Sequence, residues 1–178
     1  YPGHAEQMVA GMRRSDFDAV IAMGGDGTVN EIVNGLLGTA EDPAQRPHPE
    51  ELPVLAIIPT GSANVFVRAL GFPAGAVGAT HVLARLLDRN STRTICLGAW
   101  DDRWFAVNAG FGLDADVLAR VDRARERGFA ATPLRYLVIG VRAYTRALRR
   151  PPRINVVAEG NDGKRWEHEN VPLMLASN

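Results

Sequence analysis

Three glycines and an aspartate, Gly24-Gly25-Asp26-Gly27, stand directly before Thr28 and directly after the apolar run at residues 19–23. Glycines at Gly24, Gly25 and Gly27 let the backbone approach an anion closely, and the amides and dipole of a following helix favour phosphate there. Asp26 is the informative member. A carboxylate beside such a loop repels phosphate unless it meets Mg²⁺ or takes a proton from an attacking hydroxyl, which is the chemistry of phosphoryl transfer. A second reading, stabilisation of the turn or the helix start, stays open for Asp26. Thr28 and Glu31 fit the T-x-x-E capping box, so helix initiation is their alternative to ligand contact. The segment lacks G-x-x-x-x-G-K-[ST] and does not continue as G-x-G-x-x-G, which excludes a P-loop and weakens a dinucleotide site.

The elements around this loop follow from hydrophobic spacing. Residues 19–23 read as a buried strand, and Val29, Ile32, Val33, Leu36 and Leu37 mark one face of a helix that Gly38 ends. The same order returns at residues 54–58, followed by Pro59-Thr60-Gly61-Ser62 and a helix over 63–70 that buries Phe66, Val67 and Leu70. Two strand-loop-helix units predict a parallel, helix-covered sheet, with both loops at carboxyl ends of strands, where ligands bind. Residues 39–53 carry four prolines and read as an exposed loop. A helix is expected over 74–89, with Asn90 as its left-handed C-terminal residue.

Beyond it the pattern changes. Residues 93–97 and 104–108 predict a hairpin turning at Asp101-Asp102, which places a domain boundary near Ser91. Thr132 and Pro133 start a long helix with Leu134, Leu137, Val138, Val141, Tyr144 and Leu148 on its core side. Arg135, Arg142, Arg146 and Arg149 form a stripe on that helix, read either as a solvated face or as a surface for phosphate or anionic lipid. Further strands are expected at 154–158 and 171–175. A helix pattern opens the chain, and the strand at 19–23 has no earlier parallel neighbour in sequence. The expectation is a piece of a larger folding unit, lacking an N-terminal strand and ending within its second domain.

Composition limits the function classes. Twenty Lys and Arg balance twenty Asp and Glu, so no net field favours nucleic acid. The single cysteine, Cys96, excludes an intramolecular disulfide framework, and His4, His48, His81 and His168 fit no triad or zinc spacing. No apolar run reaches the length of a membrane span. Lys164 is the sole lysine, which removes designs that need a lysine on phosphate. A cytoplasmic setting is expected.

The block Gly24-Gly25-Asp26-Gly27-Thr28-Val29-Asn30-Glu31-Ile32-Val33-Asn34-Gly35-Leu36 resembles the GGDGTxNEVVNGL signature of the diacylglycerol kinase catalytic family, which includes bacterial lipid kinases and sphingosine kinases. Pro59-Thr60-Gly61-Ser62-Ala63-Asn64, with Phe66, Arg68, Leu70 and Gly71, resembles its second block. Asn108-Ala109-Gly110-Phe111-Gly112, with Asp114 and Asp116, is similar to the entry of its β-rich second domain. The resemblance implies a Rossmann-like nucleotide domain over 1–90 and the beginning of a β-sandwich lipid domain over 91–178. It implies ATP and Mg²⁺ as cofactors and γ-phosphoryl transfer to a hydroxyl of diacylglycerol, a sphingoid base or a related lipid. Asp26 occupies the catalytic-base position of sphingosine kinases. Gly24, Gly25, Asp26, Gly27, Thr28, Glu31, Gly61, Ser62 and Asn64 match nucleotide-side positions, and Arg135 looks like an arginine that touches phosphate. Asp114 and Asp116 are candidates for the lipid headgroup, with a loop or helix-start role as their alternative. Two departures stand out: Val65 replaces the aspartate that follows this asparagine in diacylglycerol-type bacterial members, and the family's later aspartate-glycine-acid segment is not reached. The implied partner is a lipid at a membrane surface, met peripherally; a homodimer is one open assembly, since the sequence does not set the oligomeric state. Two other functions stay in view: a soluble-substrate kinase of the NAD kinase type, and a catalytically silent nucleotide- or lipid-binding module.

Overall fold

The computed structural model describes residues 1–42, 46–112, 120, 123, 133–149, 154–160, 162–171 and 173–178, with the backbone alone at 133–137, 147 and 148. Two compact units divide the chain, Tyr1–Val107 with Asn178, and Asn108–Ser177.

In the first unit α1 (His4–Val9) precedes β1 (Ala19–Gly24) and α2 (Asp26–Leu37). A single 3-10 turn at Pro49–Glu51 leads into β2 (Val54–Pro59), α3 (Val65–Ala69) and α4 (Ala76–Asp88), and the hairpin β3 (Gly98–Trp100) and β4 (Arg103–Phe105) completes the unit. Strands β1 and β2 pair in parallel, from Ala19 opposite Val54 to Gly24 opposite Pro59, so both glycine turns emerge at the same end of the sheet. The architecture is mixed α/β around a parallel strand pair.

The spacing that predicted α2 also sets its packing. Val29, Ile32, Val33 and Leu36 are buried together with Val9, Ala22, Ile57, Phe66 and Val67, and Leu37 packs against this core from its edge. Each such aliphatic side chain contributes about 1.5–3 kcal/mol on leaving water. Gly38 ends the helix with φ 73° while its amide donates to the Asn34 carbonyl at 2.9 Å. Asn90 takes the left-handed conformation expected after α4, with φ 46°. Among the described residues between α2 and β2, Ala40 is buried where an exposed loop was expected, and its amide donates to the Asp102 carbonyl at 2.9 Å; residues 43–45 of that segment lie outside the described residues.

Three expectations need correction. The hairpin turns at Asp101-Asp102 as predicted, yet its first strand is Gly98–Trp100, and residues 93–97 pair in no described ladder. The compact units part between Val107 and Asn108, well beyond Ser91, because β4 is tied to α2 by side-chain hydrogen bonds. An antiparallel pattern in sequence marks a change of local pairing, and tertiary contact decides which core the hairpin joins. Helix α2 starts at Asp26, with Gly25 as its N-cap and no side-chain cap, so the Thr28–Glu31 capping box is not formed.

The second unit contains β5 (Asn108–Gly112), α5 (Pro133–Arg149), β6 (Ile154–Glu159), β7 (Arg165–Val171) and β8 (Leu173–Ser177). Strand β5 pairs antiparallel with β8, and β6 with β7. The strand expected at 171–175 therefore divides between the end of β7 and the start of β8. Helix α5 begins at Pro133 as predicted, but Val138, Val141 and Tyr144 on its expected core side are exposed, whereas Ala143 is buried. Periodicity identifies the apolar stripe of a helix; what covers that stripe is a tertiary property.

Candidate functional site

The two glycine turns meet. A Cβ placed on Gly61 would lie 2.5 Å from the Gly25 Cα, and one on Gly25 would lie 3.0 Å from the Gly61 Cα. Only hydrogen at both positions permits this approach. The Thr60 amide donates to the Gly24 carbonyl at 3.0 Å, which continues the β1–β2 ladder one step into the turns. Thr28 folds over the end of β1, since a Cβ on Gly24 would collide with its side chain. Gly27 has open space where a Cβ would be, and Gly61 and Ser62 are exposed. The first bond inside α2 is the Val29 amide to the Gly25 carbonyl at 3.1 Å, so the amides of residues 26–28 precede the helix's own ladder.

Asp26 is the first residue of α2, and its carboxylate reaches the other turn. Oδ2 accepts from the Val65 amide at 3.1 Å and Oδ1 from the Phe66 amide at 3.0 Å, the two leading amides of α3. Asn64, just before them, is held at φ 49° with its Nδ2 donating to the Gly61 carbonyl at 2.9 Å. Its Oδ1 is buried and, among the described residues, meets no hydrogen-bond partner. A buried acceptor left without a donor is costly, and here it lies within the turn that touches Gly25. Gly25, Asp26, Gly61 and Asn64 are thus brought together at the junction of the two turns.

Glu31 is placed elsewhere. Its Oε1 accepts from the Gly3 amide at 2.8 Å and its Oε2 from the Ala5 amide at 3.1 Å, so the carboxylate holds the start of α1. Helix α1 then lies so close to α2 that a Cβ on Gly35 would collide with the Glu6 carbonyl. Farther along α1, the Glu6 carboxylate receives both terminal nitrogens of Arg103, at 2.9 and 2.8 Å. This bidentate hydrogen bond with Arg103 holds the Glu6 carboxyl below the usual glutamate range and raises the guanidinium in turn.

Asn34 is the residue that sequence reasoning missed. Buried in the body of α2, its Nδ2 donates to the Asn30 carbonyl at 2.8 Å and the Trp104 carbonyl at 3.0 Å, while its Oδ1 accepts from the Trp104 amide at 2.9 Å. The Trp104 indole closes the joint by donating to the Gly38 carbonyl at 3.0 Å. An amide side chain inside an otherwise apolar helical face was the signal available. Arg135 belongs to α5 in the second unit and only its backbone is described, whereas Asp114 and Asp116 lie outside the described residues.

A parallel strand pair ending in two touching glycine turns, each leading to a helix start, defines a mixed α/β unit whose helix-start amides are of the kind that can bind an anion. The family model described as diacylglycerol kinase catalytic domain matches residues 1–98, and the chain belongs to that family. A protein of Staphylococcus haemolyticus (strain JCSC1435) named diacylglycerol kinase is 40% identical over 99 residues, which cover 56% of this chain and 26% of that protein. Diacylglycerol kinase of Staphylococcus aureus (strain JH9) is 38% identical over 97 residues, 54% of this chain and 26% of the relative. The matched part thus spans about a quarter of the length of these curated relatives.

Proposed function

We propose that the chain carries the nucleotide-binding part of an ATP-dependent lipid kinase, with the first unit as a Rossmann-like nucleotide domain and the second as the beginning of a β-sandwich that receives lipid. The observation behind this reading is the junction of the Gly25 and Gly61 turns, with Asp26 at it, in a member of the diacylglycerol kinase catalytic family. Amides at the start of α2 and the exposed Gly61-Ser62 turn would hold nucleotide phosphates. The acceptor is a lipid hydroxyl, and the names of the relatives favour a diacylglycerol-like lipid.

In the transfer, the hydroxyl oxygen bonds to the γ-phosphorus as the bond to the β–γ bridging oxygen breaks. ADP leaves, and the hydroxyl proton passes to the Asp26 carboxylate. Each Asp26 oxygen accepts one amide, which leaves lone-pair capacity on both. Mg²⁺ typically takes one or two carboxylates together with substrate phosphates, and Asp26 fits that donor set. Among the described residues no group of three His, Cys, Asp or Glu side chains is gathered for a metal. When bound, the ion would neutralise phosphate charge. Glu31 has no phosphate role in this scheme, because its carboxylate holds α1. Among the described residues no helix is long and apolar enough to cross a membrane, and a peripheral encounter with the lipid is part of this proposal.

The test is transfer of labelled γ-phosphate from ATP by the full-length gene product to diacylglycerol, sphingosine, ceramide and NAD in parallel, with Asp26→Asn beside it. Labelled lipid that disappears in the variant is the expected result. Labelled NAD without labelled lipid, or ATP binding with no transfer to any acceptor, would refute the lipid-kinase reading.

A further inference from the structure

The Asp26 carboxylate spans residues far apart in sequence, joining the start of α2 to the start of α3. A general base or a metal-side carboxylate needs neither amide. The turn between these amides and Gly61 is costly in its own right: Asn64 is left-handed, its Oδ1 is buried without a partner among the described residues, and its Nδ2 is committed to the Gly61 carbonyl. Such a conformation persists where its surroundings over-determine it. Its two sides are the Gly25–Gly61 contact and the Asp26 hydrogen bonds, and the buried Phe66 and Val67 anchor the helix that follows.

We infer that Asp26 is a positioning residue for the second turn as well as a participant in transfer. Through the Val65 and Phe66 amides it fixes α3 and the Asn64 turn against Gly25, so that the two phosphate-facing turns act as one preformed site. Nucleotide affinity, and not turnover alone, therefore depends on the shape and acceptor capacity of this side chain. The inference rests on the reading of the turns as a nucleotide site, and it separates two properties of Asp26 that a single substitution would merge.

The experiment compares Asp26→Asn and Asp26→Ala in the full-length protein by amide hydrogen exchange, ATP binding without lipid, and steady-state transfer. Asparagine keeps the shape and one carbonyl acceptor, turns its NH2 toward the other backbone amide and cannot take a proton; alanine removes both acceptors. Loss of both acceptors is expected to speed exchange at Val65 and Phe66 roughly tenfold and to weaken ATP binding to a similar degree. Asn is expected to hold ATP affinity within about threefold of wild type while kcat collapses. Exchange of the β1 and β2 amides in the same experiment verifies that each variant is folded. Unchanged exchange at Val65 and Phe66 in the Ala variant would overturn the inference, as would equal loss of ATP affinity in both variants, which would assign the effect to charge. A wild-type protein that binds ATP but phosphorylates no lipid would sink the functional reading and leave the exchange and binding arms to decide this one.

Discussion

Gly61→Ala tests the contact between the turns most directly. Its Cβ would lie 2.5 Å from the Gly25 Cα, 2.8 Å from the Asn64 Oδ1 and 3.2 Å from the Gly25 nitrogen. Carbon atoms not bonded to one another rest at about 3.5–4.0 Å, so the turns must part by roughly 1 Å. The obstructing atoms are backbone and a buried amide, which no rotamer change removes. Gly61 itself is exposed and can give outward, so the cost falls toward the lower part of the ordinary range for overpacking, about 1–2 kcal/mol. For a domain of this size that lowers Tm by roughly 4–8 °C per kcal/mol. Gly27→Ala is the control, because its Cβ meets nothing within 4 Å. As a residue in the first turn of α2 it should gain up to about 0.5 kcal/mol from helix propensity. Melting curves and ATP titrations of the two variants should therefore diverge: Gly61→Ala loses stability and affinity together, whereas Gly27→Ala keeps or slightly raises its Tm and, if the proposed nucleotide site is right, loses affinity by crowding phosphate. If Gly61→Ala melts and binds ATP like wild type, the junction of the turns is not the site.

Two further outcomes concern the frame behind the site. Asn34→Ala strands the amide and carbonyl of buried Trp104 at once, for a loss of about 2–4 kcal/mol that urea unfolding would register as a lower midpoint at unchanged m. The Glu6–Arg103 pair predicts a modest acid sensitivity: because the folded Glu6 carboxyl is depressed, its contribution is complete above the ordinary glutamate range and disappears as pH falls through the lowered value. Arg103 is nearly half exposed, so the effect stays below about 1 kcal/mol, and Arg103→Gln should flatten that part of the stability profile.

The strand-turn-helix units were legible because local patterns encode them. Alternation between an apolar run, glycines and a 3.6-residue period fixes β1, α2 and β2 with few tertiary choices left. The roles of the acidic side chains were not legible. Thr28 and Glu31 have capping-box spacing whether the carboxylate turns back to its own helix or across to another, and the Gly3 and Ala5 amides it meets belong to α1. Asp26 presented the same ambiguity at greater distance, since its acceptor bonds join residues about forty positions apart. Strand β7 escaped because Arg165-Trp166-Glu167-His168-Glu169-Asn170 is polar on both faces and exposed nearly throughout, so hydropathy carries no strand signal there. The boundary after Val107 was hidden for a related reason: β4 is tied to the first unit by side-chain bonds between residues far apart in sequence, from Asn34 to Trp104, from Trp104 to Gly38 and from Arg103 to Glu6.

That amide divides the family signature into two messages. Residues 24–28 speak to whatever the turns bind, while Asn34 and Gly35, about 12 Å along the same helix, speak to the hairpin and to α1. In a related sequence, an altered second half would report a rebuilt joint rather than a lost chemistry. A protein that had exchanged its asparagine together with the facing strand could keep its turns unchanged and still fail a strict search for the whole string.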